Sequence, residues 1–380
     1  MQSTTSSTNK NYQMTPSERD AFQTAFMTWY DENRRDLPWR QNQEPYRVWL
    51  SEIMLQQTQV QTVIPYYERF LATFPTVADL AAAPEDLLMK TWEGLGYYSR
   101  ARNLQKAARQ VVDDYNGQWP TTAAELEKLA GIGPYTAGAI ASICFGEVVP
   151  AIDGNAFRVF SRLLKIDADI ANPRNRHIFY DAILPLIPKD RPGDFNQAVM
   201  DFGSQVCTAK NPTVGETALA PFFRSYQDGT LLDYPVKTKK AKQKPVAMFA
   251  VVIRSQKGLL FQKRPSTGLL ANLSTYPLVA AEDLQVTDDE LLTPEEQLAR
   301  IEAYFKEAFA LELQQLHESG LKPVVHVFTH LKWTITLLEA QLAADADLAF
   351  FPGQWYTEAQ LADVALPTVQ KKLAARLATN

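Results

Sequence analysis

A chain of 380 residues with 46% apolar composition is long enough for two cores of ordinary domain size and too apolar for a disordered protein. Two cysteines make no disulfide framework and no apolar run is long enough to cross a bilayer, so a reduced, cytoplasmic setting without a membrane partner is the expectation. The net charge of −5 excludes a broad basic field, so any nucleic-acid contact must come from local patches and backbone dipoles.

The opening MQSTTSSTNKN is polar and lacks the apolar stretch of a signal peptide; residues 1–14 read as a disordered tail. Residues 15–228 read as a mainly α region, with apolar positions at helical spacing and breaks at Pro75, Pro84, Gly94-Leu95-Gly96, Gly117 and Pro120. On a helical projection of its first third, Glu52 falls between Val48 and Trp49, and Leu50, Ile53, Met54 and Leu55 fill much of the remaining circumference. A carboxyl so surrounded is expected to hold its proton to an unusually high pH.

Further along, residues 126–142 form a hairpin pattern. Leu126 and Leu129 share a helical face, Gly131-Ile132-Gly133 permits a tight turn, and a second helix is expected to start near Tyr135 and run through Ala137–Phe145. The free N–H groups at that helix start, around Thr136, make a ready anion site. An ordinary turn between two helices has the same outline. Asp153 follows the apolar run Val148–Ile152 and precedes a helix expected from near Gly154, where the exposed N–H groups favour an ionised carboxylate. A simple helix cap is the alternative.

Residues 229–245 carry five lysines and little apolar content, which reads as an exposed basic linker. Beyond Pro245 the texture changes. Val246–Ile253 and Leu259–Lys263 read as strands joined at Lys257-Gly258, Pro294–Leu313 as a helix, and Pro323–Leu338 as further strand. Residues 246–380 are therefore expected to form a smaller α+β domain.

The hairpin, together with Trp49–Val60, Gly94–Arg100 and Ile152–Asn155, resembles the helix-hairpin-helix DNA glycosylases, and more narrowly the MutY-type adenine DNA glycosylases. The resemblance implies a catalytic domain over residues 15–228 and a Nudix-like recognition domain over residues 246–380. It implies excision of adenine from duplex DNA containing 8-oxoguanine:adenine or guanine:adenine mispairs, with the base flipped out of the stack. Glu52 would protonate the adenine and assist water, Asp153 would stabilise or capture the sugar cation, and Asn155 would orient the site. One protonated acid and one charged carboxylate suit the oxocarbenium-like state of glycosidic cleavage. The lyases of the family carry a lysine where this chain has Tyr135, so a monofunctional enzyme is expected.

The same resemblance assigns Gln57, Tyr97 and Leu55 to the opened duplex and Gly131, Gly133 and Thr136 to its backbone. It puts Arg35, Trp39, Arg40 and Gln197 around the extruded adenine. Phe328-Thr329-His330 stands where the family commonly has Phe-Ser-His facing 8-oxoguanine, so the hydroxyl is kept and a methyl added. The family's iron–sulfur cluster needs four cysteines. Here Cys207 fills the first position, and Val214, Thr217 and Phe223 stand at the others, so no metal or other cofactor is expected.

Overall fold

Thr15 opens the first helix, α1 (Pro16–Asn33), with a reciprocal capping box: its hydroxyl accepts from Glu18 N–H while the Glu18 carboxylate accepts from Thr15 N–H. The computed structural model describes residues 12–239, 242–284 and 292–378. They divide into two compact units, Met1–Ala83 with Arg102–Lys239, and Pro84–Ala101 with Lys240–Asn380.

The chain continues through α2 (Pro45–Leu55), α3 (Val60–Thr73), α4 (Val77–Ala82), α5 (Glu85–Trp92) and α6 (Ser99–Asp113). It then forms α7 (Ala123–Leu126), α8 (Pro134–Phe145), α9 (Gly154–Leu164), α10 (Arg176–Ile183), α11 (Pro192–Gln205) and α12 (Arg224–Gln227). One core of the first unit gathers Phe22 and Phe26 of α1, Phe160 of α9, and Phe195 and Phe202 of α11. Phe26 meets Phe195 and Phe202 edge-on at 5.5 and 5.7 Å, a favoured aromatic geometry.

Three boundaries differ from the sequence reading. Most of the expected tail, residues 1–11, lies outside the described residues, but Tyr12 donates to the Asp167 carboxylate at 2.6 Å and Met14 packs on the core. The linker is largely bound to the first unit. Ile170 N–H bonds to Val236 O at 3.1 Å, and Thr238 donates from both its hydroxyl and its N–H to Asp169. Residues 84–101, expected in the helical domain, belong to the other unit, because Lys90, Glu93 and Tyr98 bond to residues 364–371.

Among the described residues of the second unit eight strands form one sheet: β1 (Lys244–Ser255), β2 (Gly258–Lys263), β3 (Ser274–Thr275), β4 (Leu278–Ala280), β5 (Gln314–Glu318), β6 (Val324–Val327), β7 (Leu331–Gln341) and β8 (Gly353–Tyr356). The order is β3-β2-β1-β7-β5, with β4 on β1, β6 on β7 and β8 on β2. The long central pair β1 and β7 is parallel, from Lys244 opposite Leu331 to Arg254 opposite Gln341. A central strand covered on both faces reads as one continuous apolar run, which is what Met248–Ile253 is. Met248, Ala250 and Val252 pack with Val369 and Leu373 of α15 (Thr368–Leu377), on one face. Phe249, Val251 and Ile253 pack with Ile301 and Phe305 of α13 (Pro294–Phe309), on the other. Between these helices α14 (Glu358–Leu361) is a single turn. Among the described residues no helix is long and apolar enough to cross a membrane.

Candidate active site on helices α2, α8 and α9

Helix α2 is apolar nearly all round, and Tyr46 and every residue from Val48 to Met54 are buried, so the helix lies inside the unit. Glu52 is carried in with it and is 5% exposed. Burial pushes its carboxyl up to about 7; the Tyr135 hydrogen bond opposes that push, the Asp153 charge adds to it, and the Arg40 charge opposes it. Tyr135, in the first turn of α8, donates its hydroxyl to Glu52 Oε2 at 2.5 Å and lies 3.9 Å from Met200 Sδ. Burial and the neighbouring Glu52 charge raise the phenol well above its ordinary value, so it stays a donor.

Asp153 sits at the start of α9, and both its oxygens accept. Oδ1 takes the Ala156 N–H and Oδ2 takes the Asn155 amide, each at 2.8 Å. Asn155 Oδ1 in turn accepts from Arg158 at 2.7 Å, and Arg158 donates to the Gly203 and Cys207 carbonyls at the same distance. A Cβ on Gly203 would fall 2.7 Å from Asn155 Cβ, so a glycine makes room for this side chain. Upstream, buried Asn196 accepts from Ala151 N–H and donates to Val149 O and Ser142 Oγ, all at 2.9 Å. Asp153 is thus fixed from both directions along the chain. The cap donors favour the ionised form of Asp153, while its carboxyl is raised above the usual value. Burial outweighs the Ala156 and Asn155 donors that pull it down.

Glu52, Tyr135, Asp153 and Asn155 line one cavity of about 860 Å³, together with Trp39 and Gln197. Two acids far apart in sequence are therefore brought to one pocket. Arg35 and Arg40 line it as well, but both are bound to Asp201, which is fully buried on α11. Arg40 reaches the two Asp201 oxygens at 2.6 and 3.0 Å, and Arg35 Nε reaches Oδ1 at 2.7 Å. These cations are tied into the wall of the pocket. Trp39 is likewise packed edge-on against Tyr67 at 5.4 Å.

The hairpin is shorter than its sequence pattern. The helix before it stops at Leu126, and Leu129 and Ile132 are buried from a turn. Only Gly131 has a left-handed backbone, φ +75°, and a Cβ there would sit 2.7 Å from Asn103 Cβ. Gly133 is extended, φ −94°, caps α8 and has open space where a Cβ would be. Thr136 is buried in the first turn, behind exposed Gly133 and Pro134.

The chain is similar to known proteins over most of its length. Residues 50–179 match the model of the HhH-GPD superfamily base excision DNA repair proteins, and residues 248–376 match a NUDIX domain. An adenine DNA glycosylase of Mus musculus is 34% identical over 406 residues, covering 93% of this chain and 77% of that protein. The chain belongs to the adenine DNA glycosylase family. The Homo sapiens member is 34% identical over 417 residues, covering 94% of this chain and 74% of its own. A solved thermostable thymine-DNA glycosylase is 26% identical with a TM-score of 0.50, and covers 56% of this chain and 98% of its own.

Other predicted residues of this adenine DNA glycosylase family member lie on turns. Gln57 (φ +58°) is exposed just beyond α2, next to half-buried Leu55, and both line the pocket. In the second unit Tyr97 (φ +46°) is 49% exposed. Phe328 lies 4.7 Å edge-on from Trp333, while Thr329 and His330 are exposed in the turn between β6 and β7. The four positions of the family's cluster do not fit such a group, since they supply one thiolate. Cys207, Val214 and Phe223 pack in the apolar core. Buried Arg162 donates to Thr208 O at 2.6 Å, Ala209 O at 3.1 Å and Tyr234 O at 3.0 Å. Asp201, Asn196 and Arg162 were missed in the sequence. The lone signal for each was a polar residue at an apolar helix position, which is also the pattern of a solvated face.

Proposed function

We propose that this protein is a monofunctional DNA glycosylase that excises adenine paired with 8-oxoguanine or guanine in duplex DNA, without an iron–sulfur cluster. The observation that carries the chemistry is a buried carboxyl at about 7 and an N–H-solvated carboxyl lining one cavity. Glu52, protonated near neutrality, donates to the ring of an extruded adenine and so makes it a better leaving group. Asp153 stays anionic beside the sugar, because both its oxygens are engaged as acceptors, and stabilises the oxocarbenium-like state. Tyr135 holds Glu52 in place through its hydroxyl, and Asn155 holds Asp153. Tyr135 has no amine for a Schiff base with the sugar, so the product is an abasic site.

Gln57, Leu55 and Tyr97 enter the opened stack, the open approach at Gly133 and the N–H groups before Thr136 take a backbone phosphate, and the Thr329 turn meets the opposing base. The cavity wall of Trp39, Gln197 and the Asp201-bound Arg35 and Arg40 holds the adenine. Single-turnover adenine release from an 8-oxoguanine:adenine duplex tests the reading. Glu52→Gln and Asp153→Asn are each expected to slow it at least about a hundredfold, the lower range for a positioned acid or base. Near wild-type release by either variant would refute the assignment. Efficient strand nicking without alkali would refute the monofunctional part, and stoichiometric iron in pure protein would refute the cluster-free part.

A further inference from the structure

The turn after α5 has an unusual backbone. Gly94 (φ +104°), Gly96 (φ +68°) and Tyr97 (φ +46°) are all left-handed, three of four consecutive residues. Such a run persists only where its surroundings hold it. From inside the turn, the Trp92 indole N–H donates to Gly96 O at 3.0 Å and Arg100 donates to Leu95 O at 3.0 Å. The Arg100 guanidinium also lies 5.3 Å from the Trp92 ring centre and 5.5 Å from that of Tyr97.

From outside, the turn is held at Glu93, the residue that ends α5. Its side chain is 11% exposed, and Oε1 accepts from Leu366 N–H at 3.0 Å and from the Lys371 ammonium at 3.1 Å. Oε2 pairs with Lys90 at 2.8 Å. Burial pushes the carboxyl up, but these three donors win and hold it below its ordinary value. Lys90 donates to Val364 O at 3.2 Å and Tyr98 to Leu366 O at 3.3 Å, so both flanks of the turn bind the same 364–371 segment.

We infer that Glu93 is a positioning residue: its bonds to Leu366 and Lys371 make the C-terminal unit the mount on which Tyr97 is held for opening the duplex. Two sequence-distant pieces, the Tyr97 turn and the Thr329 turn, then belong to one compact unit. Recognition of the opposing base and entry into the stack then both draw on that unit. The inference rests on the proposed entry of Tyr97 into the stack.

The test uses the full chain in a Glu52→Gln background, where cleavage is expected to be at least about a hundredfold slower. The readout is the fluorescence of 2-aminopurine placed as the target base opposite 8-oxoguanine, which rises when the base leaves the stack. Tyr97→Ser, Glu93→Ala and Lys371→Met are compared alone, and the first two also in combination. Glu93→Ala is expected to lower the rise at least threefold. Lys371→Met, which removes one donor from an exposed site, should lower it less. Glu93→Gln, which keeps an acceptor for Leu366 N–H, should restore part of the signal. The Tyr97→Ser/Glu93→Ala double variant should be no worse than Tyr97→Ser alone. If Tyr97→Ser loses the signal but Glu93→Ala and Lys371→Met keep it in full, the inference is overturned while the stack-entry reading stands. If Tyr97→Ser keeps the signal, the stack-entry reading falls and this inference with it.

Discussion

At Glu52 the burial that raises the carboxyl also makes the folded protein sensitive to pH. A folded value of about 7 against an ordinary 4.5 means the folded state binds the proton more tightly than the unfolded chain. That contribution to stability is fully present below pH 4.5 and is lost as pH rises through 7, a change of roughly 3 kcal/mol at 1.36 kcal/mol per pH unit. Glu52→Gln removes the titration and still offers an acceptor to Tyr135. The variant should therefore gain up to about 3 kcal/mol over wild type at pH 8, with the difference fading towards pH 4.5. Urea unfolding at the two pH values measures it, and an equal offset at both would show that Glu52 does not titrate in this range. Under the proposed function, catalysis depends on the same proton. Single-turnover release should fall as pH rises through about 7, where Glu52 loses its proton, and fall again in acid as Asp153 gains one. Asp201 matters to stability through its ion pairs. Asp201→Asn leaves the Arg35 and Arg40 cations without their buried counter-charge, and a loss of about 3–5 kcal/mol is expected, the range for breaking one side of a buried pair.

At the scale of the elements, the hairpin separates two glycines that look alike in sequence. Gly131 needs its left-handed backbone and its space beside Asn103, so Gly131→Ala should cost about 2 kcal/mol or more from strain and crowding. Gly133 needs neither, and Gly133→Ala should leave stability within about 0.5 kcal/mol while weakening DNA binding several-fold. Thermal melts and a binding titration at fixed salt distinguish them, and an equal loss of stability in both variants would contradict the assignment. What was legible in the sequence follows from periodicity. The apolar circumference around Glu52 predicted its burial, the helix expected from near Gly154 predicted the Asp153 cap, and the apolar stretch Val246–Ile253 predicted a strand. What was hidden is set by long-range pairing. Nothing local marks Asp201 as the partner of Arg35 and Arg40, or Asn196 as the clasp on Ala151. The upward push on the Asp153 carboxyl was hidden for the same reason: the cap is a local feature, while the burial that opposes it comes from elements distant in sequence.

For the whole molecule, the division into units decides where the chain can be cut. A boundary placed at Asp228, where the helical pattern ends, removes the Tyr234 carbonyl from buried Arg162, the Val236 carbonyl from Ile170 and the Thr238 hydroxyl from Asp169. A boundary after Lys239 keeps all three. Both truncations equally remove the partners of residues 84–101, so that loss cancels in the comparison. An unpaired buried donor costs about 1–3 kcal/mol, and more when it is charged. For a unit of this size 1 kcal/mol corresponds to roughly 2–4 °C. The protein ending at Lys239 should therefore melt about 5–10 °C above the one ending at Asp228. Equal melting temperatures would mean that residues 229–239 act as the free tether their lysines suggest, and that Arg162 finds its hydrogen bonds within residues 207–209 alone.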